Sequence, residues 1–184
     1  PFVDSRDRAL LEAICFGAVR HRRELEFALK QFMSKPLERQ DLLSHCLLLV
    51  GLTQLHILKL SAHAAVSATV DAARDLQRGA HAGLINAVLR RSQREGLPVS
   101  EALGVRENHP DWLLAHLQQD WPADWPAIVA ANNEQAPLWI RLTERANHAA
   151  FAEAMSAAGI DFSPAPHYPN AIRIDNALSP ERLP

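Results

Sequence analysis

Gly79-Ala80-His81-Ala82-Gly83-Leu84-Ile85-Asn86-Ala87-Val88-Leu89-Arg90-Arg91 decides how this chain folds. Leu84 and Val88, and Ile85 and Leu89, recur at helical spacing, so one small apolar helical face is predicted. Asn86 stands among them and reads as a buried amide that satisfies a neighbouring helix end or carbonyl. Arg90 and Arg91, with Arg94 beyond, close the helix as a cationic cluster. Cations suit the negative end of a helix macrodipole. They suit a polyanion equally well.

Four more helices precede this one. Ser5 is an N-cap signal, and Leu10, Leu11, Ile14, Cys15 and Ala18 follow at three- and four-residue steps to about Val19. Gly17 inside that run costs about 1 kcal/mol against Ala, which a close helix crossing would justify. Leu25, Ala28, Leu29 and Phe32 mark a second stripe ending near Met33, and Lys35-Pro36 stops it. A third helix is predicted from Glu38 to Leu58. It is apolar nearly all round from Leu47 to Leu52, the mark of the central helix of a bundle. Ser61 opens a fourth, reaching Leu76. The fifth runs from Ala80 to about Arg94, and Gly96-Leu97-Pro98 breaks it. Five helices without a strand make an all-α bundle.

Beyond residue 97 the character changes: all four Trp and most of the Pro lie there. Pro110 starts a short helix, and Pro122 or Pro126 another that reaches Asn132-Asn133. Leu138–Leu142 alternates as a strand. Asn147 caps a helix through Phe151, Met155 and Ala158 that Gly159 ends, and Ala171–Ile174 is a second strand. Strand, helix, strand opens a ferredoxin-like unit too short to close its own sheet. The predicted architecture is therefore mainly α. A helical bundle spans residues 1–98, a helical linker 99–136, and an incomplete α/β segment 137–184.

The 184 residues carry a net charge of −2. That average hides a split. Residues 1–95 hold 14 Lys and Arg against 10 Asp and Glu, and residues 96–184 hold 5 against 11. The basic half is where a polyanion would bind. Cys15 and Cys46 lie in apolar helical runs and read as small hydrophobes, with no disulfide framework or metal-ligating spacing. That usage fits a reducing, cytoplasmic setting. No apolar run is long enough to span a bilayer. Both ends are abrupt, as in a segment of a longer protein.

No catalytic constellation stands out. Gly79 and Gly83 lack the spacing and the preceding strand of a phosphate loop. The nine His are scattered without partners at metal-ligand spacing, so no metal site is predicted. The cations carry the functional reading. Arg6, Arg8, Arg20, Arg22, Arg23, Lys30, Arg90, Arg91 and Arg94 are the candidate RNA contacts, if two or three groups of them converge. Against this stands an ordinary solvated face, with Glu12, Glu24, Glu26 and Glu95 as their partners. Trp112, Trp121, Trp125 and Trp139 read as core or interdomain packing rather than as a base-stacking platform.

Residues 4–94 resemble the NusB-like helical domain. The resemblance rests on Asp7-Arg8-Ala9-Leu10, Gly17–Arg20, Leu49–Leu55, Ala62–Val66 and, most specifically, Gly83–Arg90. His109-Pro110-Asp111-Trp112-Leu113-Leu114 and Ala131–Arg141 extend it. Together they resemble the bacterial 16S rRNA cytosine-C5 methyltransferases of the RsmB (Sun/Fmu) type. In that family a NusB-like domain precedes an RRM-like segment and a catalytic domain. The resemblance implies an RNA-binding, targeting role in an S-adenosylmethionine-dependent enzyme. Its partners would be 16S rRNA and the methyltransferase domain, and the chain a monomer. The family's catalytic and cofactor residues find no match here, so no catalytic, cofactor or metal residue is assigned. This chain alone is expected to transfer no methyl group and to bind no S-adenosylmethionine. Two other roles fit the same bundle: a protein-interaction module of the antitermination type, or a structural cap on the methyltransferase domain.

Overall fold

Asp4, not Ser5, caps the first helix. Its backbone is extended and its carboxylate accepts the Arg6 amide at 2.9 Å, so α1 runs Ser5–Arg20. The computed structural model describes residues 4–35, 37, 41–143, 148–175 and 183. Helix α2, Arg22–Phe32, follows after His21 alone. Asp41 caps α3, Leu42–Leu52, by accepting the amides of Leu43 and Ser44. Glu38 and Pro36 lie outside the described residues. The predicted long third helix changes pitch at Thr53–Ile57, a π-helical turn. There the Thr53 hydroxyl donates back to Leu49 O at 2.8 Å and Leu58 N reaches Thr53 O. Helices α4, Ala62–Asp75, and α5, Gly79–Glu95, complete the bundle.

Leu48 and Leu52 of α3 are buried at its centre, packed with Leu25 and Leu29, Val66, and Ile85 and Leu89. The quoted stretch supplies this core, along a face displaced from the predicted one. Ala82, Ile85, Val88, Leu89 and Ser92 are buried, whereas Leu84 and Asn86 are exposed. A helix turns about 100° per residue, so the neighbours of Ile85 on either side fall outside an arc centred on it. Asn86 is therefore not a core amide.

Helix α1 departs further from expectation. Gly17 is its buried residue, and a Cβ there would come within 3.0 Å of Thr53 Cγ2, which is the predicted close crossing. Leu10, Leu11 and Cys15, expected in the core, are exposed with Phe16 and Val19. Ile14 and Ala18 beside Gly17 are half-buried, while the first turns of that face stay outside the bundle. Cys46 is exposed as well, because on α3 it points away from the stripe of Leu47 and Leu48.

Three shorter helices follow: α6, Leu103–Arg106, which no sequence signal announces, α7, Asp111–Asp120, and α8, Trp125–Asn133. Pro110 sits at the cap of α7 rather than in its first turn. The chain divides into two compact units, Pro1–Asn133 and Glu134–Pro184.

The second unit holds strand β1, Leu138–Arg141, helix α9, His148–Ala157, and strands β2, Phe162–Ala165, and β3, Tyr168–Ile174. Its antiparallel sheet has the order β1-β3-β2, with Leu138 opposite Ile174 and Ile174 opposite Phe162. Met155 and Phe151 of α9 pack on Ile172 and Ile174. The predicted cap Asn147 lies outside the described residues. Gly159 ends α9 with φ +67°, and Ile160 N bonds back to Met155 O. Strand β2 escapes the sequence reading because Pro164 lies within it and Pro166 follows it directly. An edge position makes Pro164 tolerable. Trp112, Trp121 and Trp139 do not take the core half of their predicted role: they are 66%, 56% and 48% exposed. Trp125 is half-buried.

Candidate nucleic-acid interface

Helix α2 turns one face to the core through Leu25, Ala28 and Leu29. The helical repeat places Arg23, Phe27 and Lys30 on the opposite face, with Arg22 and Glu26 on the flank between that face and the core stripe. These five, with Val105 of α6, line an open cleft of about 420 Å³. Arg23 and Lys30 have no acidic partner among the described residues. Arg22 donates to Glu26 Oε1 at 3.4 Å from a side chain that is 65% exposed, a pair too solvated to hold the cation firmly.

The cleft's second wall is fixed to α2 by Asn108. Its side chain accepts the Glu24 amide at 3.0 Å and donates to the Glu24 carboxylate at 3.3 Å. The His21 ring, 3.4 Å away, holds the Glu24 carboxyl below its ordinary range. Partial burial opposes that shift, and the Asn108 amide reinforces it. Asn108 adopts φ +56°, a left-handed turn that Asn tolerates. The motif residues further on brace the same turn. His109 is buried with its Nδ1 2.6 Å from Glu107 O, Asn133 donates to Glu107 O at 2.9 Å, and Asn132 meets His109 Nε2.

Of the nine candidate cations, the structure gathers Arg22, Arg23 and Lys30 at one cleft. Arg6 and Arg8 stand on the first turn of α1, and Arg8 pairs with Glu12 at 3.0 Å. Arg20 ends α1, half-buried. Arg91 is committed to structure. It donates to both oxygens of Glu95, to Phe32 O at 3.3 Å, and lies 5.3 Å from the centre of the Phe32 ring. Arg90 and Arg94 are exposed, one helical turn apart, without an acidic partner among the described residues. The expected pairing of arginines with Glu12, Glu26 and Glu95 is thus real, while Glu24 turns to His21 and Asn108 instead. Phe27, Glu26, Val105 and Asn108 are absent from the sequence-derived set. For Phe27 a signal existed: it is four residues from Arg23 and three from Lys30.

A second polar cluster holds the start of α3 to α5. Asp41 Oδ2 meets Arg78 at 2.8 Å and His81 Nδ1 at 3.1 Å, and Ser44 Oγ lies 2.8 Å from the same His81 nitrogen. Partial desolvation raises the Asp41 carboxyl. The Ser44 amide and hydroxyl and the Arg78 guanidinium outweigh it and bring it down to about 2. Ser, His and Asp are the residue types of a hydrolytic triad, but both partners use one ring nitrogen. No proton can pass from Ser44 through the ring to Asp41. Nor is there a metal-ligand group of three or more His, Cys, Asp or Glu among the described residues. None of the described helices is long and apolar enough to cross a membrane.

The helical bundle and the small antiparallel sheet together define a recognisable class. The chain belongs to the NusB family, whose model matches residues 2–94. Residues 109–180 match the ferredoxin-like domain of the RsmF/B-like methyltransferases. Among individual proteins it is similar to ribosomal RNA small subunit methyltransferase B of Xanthomonas campestris pv. campestris. The two are 41% identical over 182 residues, which is 98% of this chain and 41% of the relative. Its counterparts in Pectobacterium atrosepticum and Yersinia pestis bv. Antiqua are 37% and 36% identical, over 99% of this chain and 43% of theirs. The chain thus spans about two fifths of the length of these relatives.

Proposed function

We propose that this chain is the RNA-engaging region of an S-adenosylmethionine-dependent 16S rRNA (cytosine-C5) methyltransferase. In this reading the helical residues 1–98 contact folded rRNA, 99–136 link, and 137–184 lead toward the catalytic part. The protein works in the cytoplasm as a monomer. One observation carries the RNA contact: Arg22, Arg23 and Lys30 converge on one open cleft, two of them without acidic partners among the described residues. Relatives named as rRNA methyltransferases support the choice of polyanion. The residues present do not suit S-adenosylmethionine. Gly159, the glycine of the α/β unit, ends helix α9, and no glycine follows β1 to open a cofactor loop. No step through that cofactor is therefore assigned to this chain.

The test is an anisotropy titration of a 16S rRNA fragment at two salt concentrations. Affinity should fall steeply with salt. Arg23→Glu with Lys30→Glu should weaken binding at least tenfold and flatten the salt slope by about 1 to 2. Binding that ignores both salt and the charge reversal would refute the reading.

A second reading has its own observation. Leu10, Leu11, Phe16 and Val19 are exposed on α1. An apolar surface of that kind supports packing against protein, as in a structural cap on the catalytic domain or an antitermination-type docking module.

A further inference from the structure

Glu26 links the buried and the open side of α2. Its Oε1 lies 3.2 Å from His45 Nε2 and 3.4 Å from Arg22 Nε. His45 is 4% exposed and its Nδ1 has no hydrogen-bond partner. A carboxylate only accepts, so the ring proton facing it sits on Nε2, the tautomer that also spares Nδ1 a buried, unmatched donor. Oε2 is left without a partner among the described residues, and Glu26 is one of the residues that line the cleft. Phe27, Val105, Arg22, Arg23 and Lys30 line the same cleft. The volume, about 420 Å³, falls within the range of small-ligand pockets.

We propose that this cleft holds one unstacked nucleotide of a single-stranded RNA segment, its base against Phe27 and its exocyclic amino group donating to Glu26 Oε2. The inference rests on the RNA-binding reading above and adds to it the kind of nucleotide. Stacking on an aromatic ring tolerates any base. The carboxylate does not. Cytosine presents an N4 amino group that donates to it, as adenine and guanine do from their own amino groups. Uracil presents carbonyl oxygens there, which a carboxylate repels. The flanking phosphates lie with Arg22, Arg23 and Lys30, so Glu26, the acid among the described lining residues, selects while the cations bind.

The experiment compares octacytidylate and octauridylate binding to the 184-residue chain by fluorescence anisotropy. These two differ chiefly in the group offered to Glu26. A hydrogen bond to a charged acceptor predicts about a tenfold preference for octacytidylate. Phe27→Leu keeps apolar packing and removes the stacking ring, and should cost about fivefold or more on octacytidylate. In Glu26→Gln the amide oxygen goes on accepting from His45 Nε2, which puts the NH2 where Oε2 was. The preference should then turn toward octauridylate. Equal affinity of the native chain for the two oligomers overturns the proposal without needing any variant. So does a preference that Glu26→Gln and Phe27→Leu leave intact, or poly-glutamate binding as tightly as the RNA. If the oligomers bind alike and Arg23→Glu still weakens them, the cleft assignment fails and the RNA reading stands. If no RNA binds, both fall.

Discussion

At Gly51 a Cβ would come within 2.7 Å of Leu89 Cδ1 and 2.8 Å of Cδ2, and Leu89 is fully buried, so its side chain would have to shift inside a packed core. The side chain that anchors the quoted stretch thus depends on a missing one across the bundle. Gly51→Ala should lower stability by about 1–3 kcal/mol in a urea titration, while Asn86→Ala on the exposed side of α5 should change it by under about 0.5 kcal/mol. A neutral Gly51→Ala, or a costly Asn86→Ala, would contradict this packing. The periodicity of Ile85, Val88 and Leu89 was legible because apolar spacing alone encodes it. The arc's limits were not, since Leu84 is as apolar as Leu89 and only the neighbouring helices decide which is covered. Phe27 shows the opposite failure: its spacing from Arg23 and Lys30 was readable, but an aromatic on a helix reads first as core.

Among elements, caps and hinges explain where prediction and structure part. Asp41 opens α3 and ties it to α5 through Arg78 and His81. Its folded pKa, about 2, lies below the ordinary 3.8, so the folded state binds its proton more weakly than the unfolded one. The stabilisation is fully present above the ordinary value and is lost as pH falls from there toward 2. Thermal melts across that window should show the native chain losing stability more steeply than Asp41→Asn, which keeps an acceptor but has no charge to titrate. Parallel pH profiles would remove Asp41 from the lock. Helix α6 and strand β2 were illegible for a common reason. Each is four residues long and exists through tertiary partners, α6 through the Asn108–Glu24 bonds and β2 through pairing with β3. The five bundle helices carry their own periodic signal, so their existence, though not every boundary, followed from sequence.

At the scale of the molecule, a helical NusB-family unit and a ferredoxin-like unit follow one another along a chain whose first half is basic and second half acidic. The bundle offers two chemically different surfaces. One is the cationic outer face of α2. The other is the apolar face of α1, which the sequence assigned to the core because a stripe at helical spacing does not reveal whether a neighbour covers it. Nucleic acid and protein would choose differently between them. The most direct measurement is ultraviolet cross-linking of the chain to unmodified 16S rRNA fragments, followed by peptide mapping. The account predicts that nucleotide-modified peptides cover Arg22–Phe32, with Phe27 among the modified residues. Cross-links confined to Leu10–Val19, or to Trp139 on the sheet, with Arg22–Phe32 unmodified, would contradict it.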